Sequence, residues 1–206
     1  VISVRGRTRL LKFIPSTAEE TWGLILALVR KIPWAYEDVR NNKKWNRDLF
    51  KGHQLLGKTL GIVGFGRLGN IVAKYAKTFG MKVVFCDPYK KAKSGAKKVS
   101  LDELFKISDI VSVHALYIPE KTHRLIKEKH FKLMKQSAYF INTARGEIAD
   151  EKALLSALKN KKIAGAALDV MSDESQDGRH LLADTIGNAL NRYAANNSNL
   201  LIVPHL

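Results

Sequence analysis

Short apolar segments alternate with amphipathic segments along most of this chain. Short runs of mostly apolar residues predict buried strands at Thr59–Val63, Lys82–Cys86, Ile110–Val113, Ala138–Asn142, within Ile163–Val170, and at Leu200–Val203. Helical spacing or capping residues predict helices at Leu68–Phe79, from Ser100, at Lys127–Met134, at Asp150–Lys159 and at Ala189–Ala194. Alternation of this kind is typical of an α/β protein with a doubly wound parallel sheet and helices on both faces.

A further apolar helix is predicted ahead of this alternation. Thr17-Ala18-Glu19-Glu20 has the form of a capping box, and the helical pattern runs to about Ile32, where Pro33 would end it. Its apolar residues lie on two sides, with Trp22, Ile25, Leu26 and Val29 on one and Leu24 and Leu28 on the other. Such a helix must be buried on both sides, by the core alone or by the core and a subunit contact. In the polar segment 35–58 and just before it, Trp34, Trp45 and Phe50 are the expected anchors.

The composition changes this picture little. The chain has 206 residues, of which 46% are hydrophobic, with 14 Gly, 5 Pro and a single cysteine, Cys86. These values exclude a disordered, collagen-like or disulfide-stapled protein and favour a reducing, cytoplasmic compartment. The longest apolar stretch, Leu24–Val29, is too short to cross a bilayer, so we expect no membrane partner.

The charge is the unusual property. Thirty-five basic and 19 acidic residues give a net charge of +16. A basic face that binds a polyanion and solvated lysines spread over the surface are both compatible with this value. The one dense run, Lys90, Lys91, Lys93, Lys97 and Lys98, has no aromatic residues interleaved as a stacking platform would require. We therefore expect no specific nucleic-acid partner.

A glycine-rich turn joins the first strand of the alternation to its helix. Gly64-Phe65-Gly66-Arg67-Leu68-Gly69 has the GxGxxG pattern in the strand–turn–helix context of a dinucleotide-binding, Rossmann-type fold. Gly64 permits the tight turn, Gly66 lets the backbone approach a pyrophosphate, and Gly69 lets helix and strand pack closely. The free amides at the start of the helix would bind the phosphates, which makes Arg67 and Leu68 candidates as well.

Asp87 supplies the second half of this pattern. It ends the next strand, 18 residues after Gly69, where a carboxylate would bond the adenosine ribose hydroxyls. A carboxylate there repels a 2′-phosphate, which favours NAD over NADP, although Lys90 and Lys91 could attract one. A simple turn aspartate before Pro88 is the alternative.

Three candidate catalytic side chains follow later strands. These are Arg145, Glu174 and His205. Because the carboxyl ends of parallel strands share one edge of a sheet, all three are candidates for one site. Oxidation of a hydroxy acid needs a proton carrier at the alcohol oxygen, a partner that tunes it and a cation for the carboxylate. Each has an alternative: Arg145 could belong to a simple turn, and His205 could be a frayed terminal residue. Glu174 could lie in a solvated acidic loop, and its neighbour Asp173 could be the relevant carboxylate instead.

The chain resembles the D-isomer-specific 2-hydroxyacid dehydrogenases, most closely those of the D-3-phosphoglycerate dehydrogenase type. The resemblance covers nearly the whole chain and rests on Thr17–Glu19, Gly61–Gly69, Asp87–Tyr89, Ile141–Glu147, Gly165–Val170 and Val203–His205. It departs from the family pattern at Leu116 and Ser175, where prolines are usual.

The resemblance implies a role for each candidate. Arg145 would bind the substrate carboxylate and carbonyl, His205 would be the general acid and base at the C2 oxygen, and Glu174 would raise the histidine pKa. Hydride would pass between substrate C2 and the nicotinamide ring. The residues that would contact or border the cofactor are Asp169 at its nicotinamide end, together with His114, Thr143 and Ala144. No metal site is expected.

The resemblance also implies how the chain is organised. Residues 1–15 would be the tail of a truncated substrate-binding domain, and residues 16–206 an NAD-binding domain that stops just after the catalytic histidine. We expect such a fragment to bind NAD(H) and to turn over poorly. Its expected partners are a small 2-hydroxy or 2-oxo acid and a second copy bound through the NAD-binding domain. A non-enzymatic NAD(H)-sensing module, like the corepressors of this family, is the alternative function.

Overall fold

A computed structural model describes residues 14–43, 45, 47–92, 95–173 and 186–205. Its centre is a seven-stranded sheet in the order β3-β2-β1-β4-β5-β6-β7, in which every neighbouring pair is parallel. The strands are β1 (Thr59–Val63), β2 (Lys82–Cys86), β3 (Lys97–Lys98), β4 (Ile110–Val113), β5 (Tyr139–Asn142), β6 (Gly165–Leu168) and β7 (Leu200–Ile202). The predicted doubly wound parallel sheet is confirmed, and the strand order reverses between β1 and β4.

Helices cover both faces of the sheet. In the described part of the chain they are α1 (Ser16–Val29), α2 (Ile32–Asn42), α3 (Arg67–Thr78), α4 (Leu101–Ile107), α5 (Pro119–Thr122), α6 (Glu128–Leu133), α7 (Glu151–Lys159) and α8 (Ile186–Ala194). Helices α1 and α3 pack on one face, and α4, α6, α7 and α8 share the apolar cluster on the other. None of the helices in these described segments is long and apolar enough to cross a membrane.

The N-terminal helix differs from its prediction in three ways. It begins at Ser16 after Pro15 without a side-chain cap, so the capping box predicted at Thr17 is wrong. It ends at Val29, and Pro33 lies in the first turn of α2, where a residue needs no helical N–H bond. Leu24 and Leu28 are buried within the chain. Burial in the core alone therefore accounts for the second apolar side of α1.

Other predictions were partly right. Ser100 and Asp150 cap α4 and α7 as expected, accepting hydrogen bonds from the amides of Glu103 (3.2 Å) and Ala153 (3.1 Å). Trp45 is 88% exposed and anchors nothing, which corrects its prediction. Strand β3 was missed because it consists of two exposed lysines, and helix α2 because its proline was interpreted as a helix end.

Candidate functional site

The glycine-rich turn has the geometry that its sequence predicts. Gly64 has a φ of +90°, and a Cβ there would lie 2.5 Å from the amide nitrogen of Ala115. A Cβ at Gly69 would overlap the carbonyl oxygen of Gly64, so the start of α3 packs directly on the turn. At Gly66 a Cβ would meet nothing within 4 Å. Gly64 and Gly69 are thus needed for the fold, whereas Gly66 leaves open space beside the turn.

Two side chains brace this turn from inside the protein. The buried Asp87 carboxylate accepts hydrogen bonds from the amides of Phe65 (2.8 Å), Tyr89 (2.8 Å) and Lys90 (3.1 Å). The Asn70 side-chain amide donates to the carbonyl oxygens of Phe65 (2.9 Å) and Gly66 (2.7 Å). The turn backbone is therefore held on its donor side by Asp87 and on its acceptor side by Asn70.

A cavity of about 590 Å³ lies beside the turn. The basic residues Arg67, Lys74, Lys90 and Lys91 line it together with Phe65, Gly66, Asn70 and Ile71, and none of these described lining residues is acidic. Within the described residues no side chain caps the start of α3. Free amides, the helix dipole and four cations all favour an anion at this position.

His114 lies directly beside the turn, at the end of β4. Its amide donates to the Val63 carbonyl oxygen (2.7 Å), and its Nε2 is 2.8 Å from the Ser112 hydroxyl oxygen. Its Nδ1 is buried with no hydrogen-bond partner among the described residues. Burial lowers the pKa of His114 from 6.5 to about 4, so the ring is neutral at pH 7.

The end of β5 is fixed by buried polar side chains. The Thr21 hydroxyl gives its proton to the Thr17 carbonyl oxygen (2.7 Å), so the Thr143 hydroxyl must donate to Thr21 (2.8 Å). The Asn142 side chain accepts from the Ala144 amide (3.1 Å) and donates to the Arg145 carbonyl oxygen (2.9 Å). These bonds set the path of the backbone that carries Arg145.

Arg145 itself is exposed at this edge. Its Nη1 donates to the carbonyl oxygen of Ala144 (2.6 Å). The next residue, Gly146, is buried against the segment that follows β6, and a Cβ there would overlap the Ser172 amide nitrogen. The guanidinium is therefore open to solvent, while the backbone beneath it is packed tightly.

The ends of β6 and β7 meet next to this turn. The buried Asp169 donates its amide hydrogen to the Asn142 carbonyl oxygen (3.0 Å) and accepts from the His205 amide at its own carbonyl oxygen (3.1 Å). His205 is exposed, with a φ of +39°. Glu174 lies outside the described residues. The candidates that the structure does describe therefore lie along one edge of the sheet, at the carboxyl ends of its strands.

Sequence reasoning missed three polar residues that organise this edge. Asn70 and Asn142 brace the two turns, and Glu151 bonds Ser172 in the segment after β6 (2.7 and 2.9 Å). Asn142 lies within the Ile141–Glu147 motif, which could have indicated its structural role. Nothing in the sequence around Asn70 or Glu151 indicates which groups they bond. No group of three or more His, Cys, Asp or Glu residues that could hold a metal occurs in the described part of the chain.

The strand order, the braced GxGxxG turn and the carboxylate after β2 define a dinucleotide-binding domain. The family model of the D-isomer specific 2-hydroxyacid dehydrogenase NAD-binding domain matches residues 22–206. The chain belongs to this family, as its motifs predicted, and its cofactor is NAD.

Relatives and solved structures agree with this assignment. D-3-phosphoglycerate dehydrogenase of Methanocaldococcus jannaschii is 44% identical over 172 residues, which are 81% of this chain and 32% of that protein. Glyoxylate reductase of Thermococcus litoralis is 44% identical over 169 residues, which are 77% of this chain and 51% of that protein. The crystal structure of Aquifex aeolicus D-lactate dehydrogenase with NAD and lactic acid has a TM-score of 0.83 at 36% identity, covering 94% of this chain and 60% of that one. The chain spans about half the length of the curated relatives it matches.

The site observed in this chain fits such a cofactor. The open space at Gly66 lets a ligand approach the backbone, and the uncapped start of α3 offers amides to a pyrophosphate. The basic residues around the adjoining cavity match the two negative charges of that pyrophosphate. The Gly64–Gly69 turn thus has the open space, the free amides and the neighbouring positive charge that a pyrophosphate requires.

Proposed function

We propose that this chain is the cofactor half of an NAD-dependent D-2-hydroxyacid dehydrogenase. The observation that carries the proposal is the row of strand ends at one edge of the sheet. The NAD turn, His114, Arg145, Asp169 and His205 follow one another along it, with the exposed arginine and histidine at one end. The names of the relatives also favour a dehydrogenase and give no support to the sensing alternative.

The roles proposed for the chain's own residues follow from their chemistry. Arg145 binds the substrate carboxylate, because its forked donors match two carboxylate oxygens. His205 takes the proton of the C2 hydroxyl during oxidation and returns it to the C2 oxygen during reduction. Glu174 pairs with His205 and stabilises its protonated form. NAD, when bound, supplies the acceptor for the hydride that leaves C2.

The cofactor roles extend along the same edge. Gly64, Gly66 and Gly69 shape the turn, and the amides of Arg67 and Leu68 bind the pyrophosphate. The remaining proposed contacts are Asp87 at the adenosine ribose and His114, Thr143, Ala144 and Asp169 towards the nicotinamide end. Because a carboxylate at the ribose repels a 2′-phosphate, this proposed role of Asp87 implies a preference for NAD over NADP.

The proposed substrate is a small 2-hydroxy or 2-oxo acid. Two relatives with the same 44% identity carry the names of different reactions, D-3-phosphoglycerate dehydrogenase and glyoxylate reductase. We propose the phosphoglycerate type as the first to test, since the motifs resemble it most. The carboxylate that Arg145 recognises is common to all of these acids.

We also propose that two copies associate through this domain. Ile32, Tyr36 and Val39 lie on one stripe of α2 and are 46–61% exposed, although all are large and apolar. In the segment that follows α2, Trp45 and Leu49 are also large, apolar and exposed. Sedimentation equilibrium should give a dimer that a Tyr36→Glu change converts to monomer. A monomer at all concentrations would contradict this.

The test of function is a steady-state assay of the full-length protein. NADH oxidation is followed with phosphohydroxypyruvate, glyoxylate, hydroxypyruvate and pyruvate as substrates. The proposal predicts turnover with at least one of them and its loss in His205→Asn. Binding of NADH without reduction of any 2-oxo acid would contradict the enzymatic function.

A further inference from the structure

Glu151 is a buried carboxylate to which the proposed reaction assigns no role. It is the first residue of α7 and only 5% exposed. Burial raises its pKa against the opposing effect of hydrogen bonds from Ser172, and the negative charges of Asp173 and Glu147 raise it further. A buried carboxylate is costly unless hydrogen bonds or charges compensate it, so the partners of Glu151 indicate what it does.

Both oxygens of this carboxylate bond to a single residue. Oε1 accepts from the Ser172 amide (2.9 Å), and Oε2 accepts from the Ser172 hydroxyl (2.7 Å). Ser172 is the fourth residue after the end of β6. Glu151 therefore fixes both the backbone and the side chain of the segment that leaves β6.

The fixed segment is packed against the turn that carries Arg145. A Cβ at Gly146 would overlap the Ser172 amide and would lie 2.7 Å from the Met171 carbonyl oxygen. The Asn142 side-chain amide also donates to the Arg145 carbonyl oxygen (2.9 Å). The backbone of Arg145 and Gly146 thus contacts both Asn142 and the Met171–Ser172 segment to which Glu151 bonds.

We propose that Glu151 is a positioning residue, which clamps Met171–Ser172 onto Gly146 and thereby holds Arg145 in place to bind the substrate carboxylate. The inference rests on the proposed function of Arg145. It gives the buried carboxylate a specific task, because a clamp with two acceptors restrains a backbone more strongly than apolar packing does.

The test separates positioning from a purely stabilising role. In the full-length protein, Glu151→Leu keeps the size of the side chain and removes both acceptors. Glu151→Gln can keep both bonds, since its oxygen accepts from the Ser172 amide and its NH₂ group donates to the hydroxyl oxygen. Glu128→Leu is the matched control, because Glu128 is the exposed first residue of α6.

We expect Glu151→Leu to raise the KM for the 2-oxo acid about tenfold, the scale of one lost buried hydrogen bond. The Kd for NADH should stay within about twofold, and Glu151→Gln should stay close to wild type in both constants. An unchanged KM in a folded Glu151→Leu protein would overturn the inference, even if its stability fell. If that variant does not fold, Ser172→Ala removes one of the two bonds, and an unchanged KM there would count equally against the clamp.

A second readout does not depend on turnover. The clamp predicts that Glu151→Leu speeds hydrogen exchange at the amides of Ala144 and Ile148, whose bonds define the Arg145 turn. If the wild-type protein reduces no 2-oxo acid, the proposed function fails, and this exchange measurement still decides the inference. Unchanged exchange at both amides would overturn it.

Discussion

The two ends of the functional edge are built in different ways. At the glycine-rich turn, Asp87 and Asn70 form hydrogen bonds with the backbone, and basic side chains line the cavity beside it. At the other end, Arg145 and His205 are exposed, and the bonds to the backbone are made by the neighbouring Asn142 and by Glu151, which bonds Ser172. We expect the first end to bind its ligand mainly through the backbone, whereas the second presents side chains on a braced backbone. Substitutions should therefore separate cofactor binding from turnover.

The largest separation is expected at Arg145. Arg145→Gln in the full-length protein should lower kcat/KM for the 2-oxo acid roughly 1000-fold, because a charged bidentate contact with the carboxylate is lost. The Kd for NADH should stay unchanged, since the guanidinium lies away from the turn. Stopped-flow measurements give kcat/KM, and fluorescence titration gives the Kd for NADH. Arg192→Gln is the control, because Arg192 is exposed on α8. A parallel loss of NADH affinity would contradict the separation of cofactor binding from turnover.

Gly66 should give the opposite result. Gly66→Ala places a methyl group in open space, so the free energy of unfolding should change by less than about 1 kcal/mol. NADH affinity should nevertheless fall about 100-fold, because the methyl group keeps the pyrophosphate from the backbone. Gly69→Ala should instead destabilise the fold by about 1–3 kcal/mol through its overlap with Gly64.

The matched control is Gly23→Ala on α1, where a Cβ also meets nothing within 4 Å. It should leave NADH binding unchanged and stabilise the helix by about 0.5–1 kcal/mol. Calorimetric titration and urea unfolding of the three variants measure both quantities. Wild-type NADH affinity in Gly66→Ala would show that the phosphates bind elsewhere.

Acid should weaken the protein through His114, which lies between the two ends. Its pKa is about 4 in the folded chain against an ordinary 6.5, so the unfolded state takes up a proton first as the pH falls. Stability is lost between these values, by about 3 kcal/mol in total. Urea unfolding at pH 7 and pH 4 should show this loss in wild type and in the exposed His53→Asn control, and a smaller loss in His114→Asn. An equal acid loss in all three proteins would count against the buried neutral ring.

A smaller effect is expected at Asp87. Asp87→Ala removes the acceptor for three amides, including that of Phe65 in the turn. NADH affinity should fall about tenfold, and the preference for NADH over NADPH should shrink, because the negative charge at the ribose is gone. Asp48→Ala, at an exposed ion pair with Lys51, is the control for both titrations. An unchanged preference would limit Asp87 to bracing the turn.

The elements that the sequence predicted best are those whose pattern is local. Strands β1, β2 and β4 have their predicted bounds, because each is a continuous run of mostly apolar residues. The glycine turn and the caps at Ser100 and Asp150 were also predicted correctly. The amides that these two caps bind lie only three residues further along the chain. Strand β3 was not predicted, because its two exposed lysines show no apolar pattern.

Long-range polar contacts could not be predicted in the same way. Glu151 has the appearance of an ordinary first-turn acid that favours the helix dipole. Its hydrogen-bond partner in the fold is Ser172, 21 residues further along the chain. The Thr143 hydroxyl bonds Thr21, 122 residues away, and no spacing rule connects them. Motifs thus predicted where the site lies, and only the folded chain showed how the backbone there is braced.

The central claim is that the braced turn binds NAD through this chain alone. Its most direct test is a calorimetric titration of the 206-residue chain with NADH and with NADPH, repeated on Gly66→Ala. The account predicts saturable one-to-one binding of NADH, weaker binding of NADPH and loss of NADH binding in the folded variant. Equal heats in wild type and Gly66→Ala, or no binding of NADH by the folded wild-type chain, would contradict it.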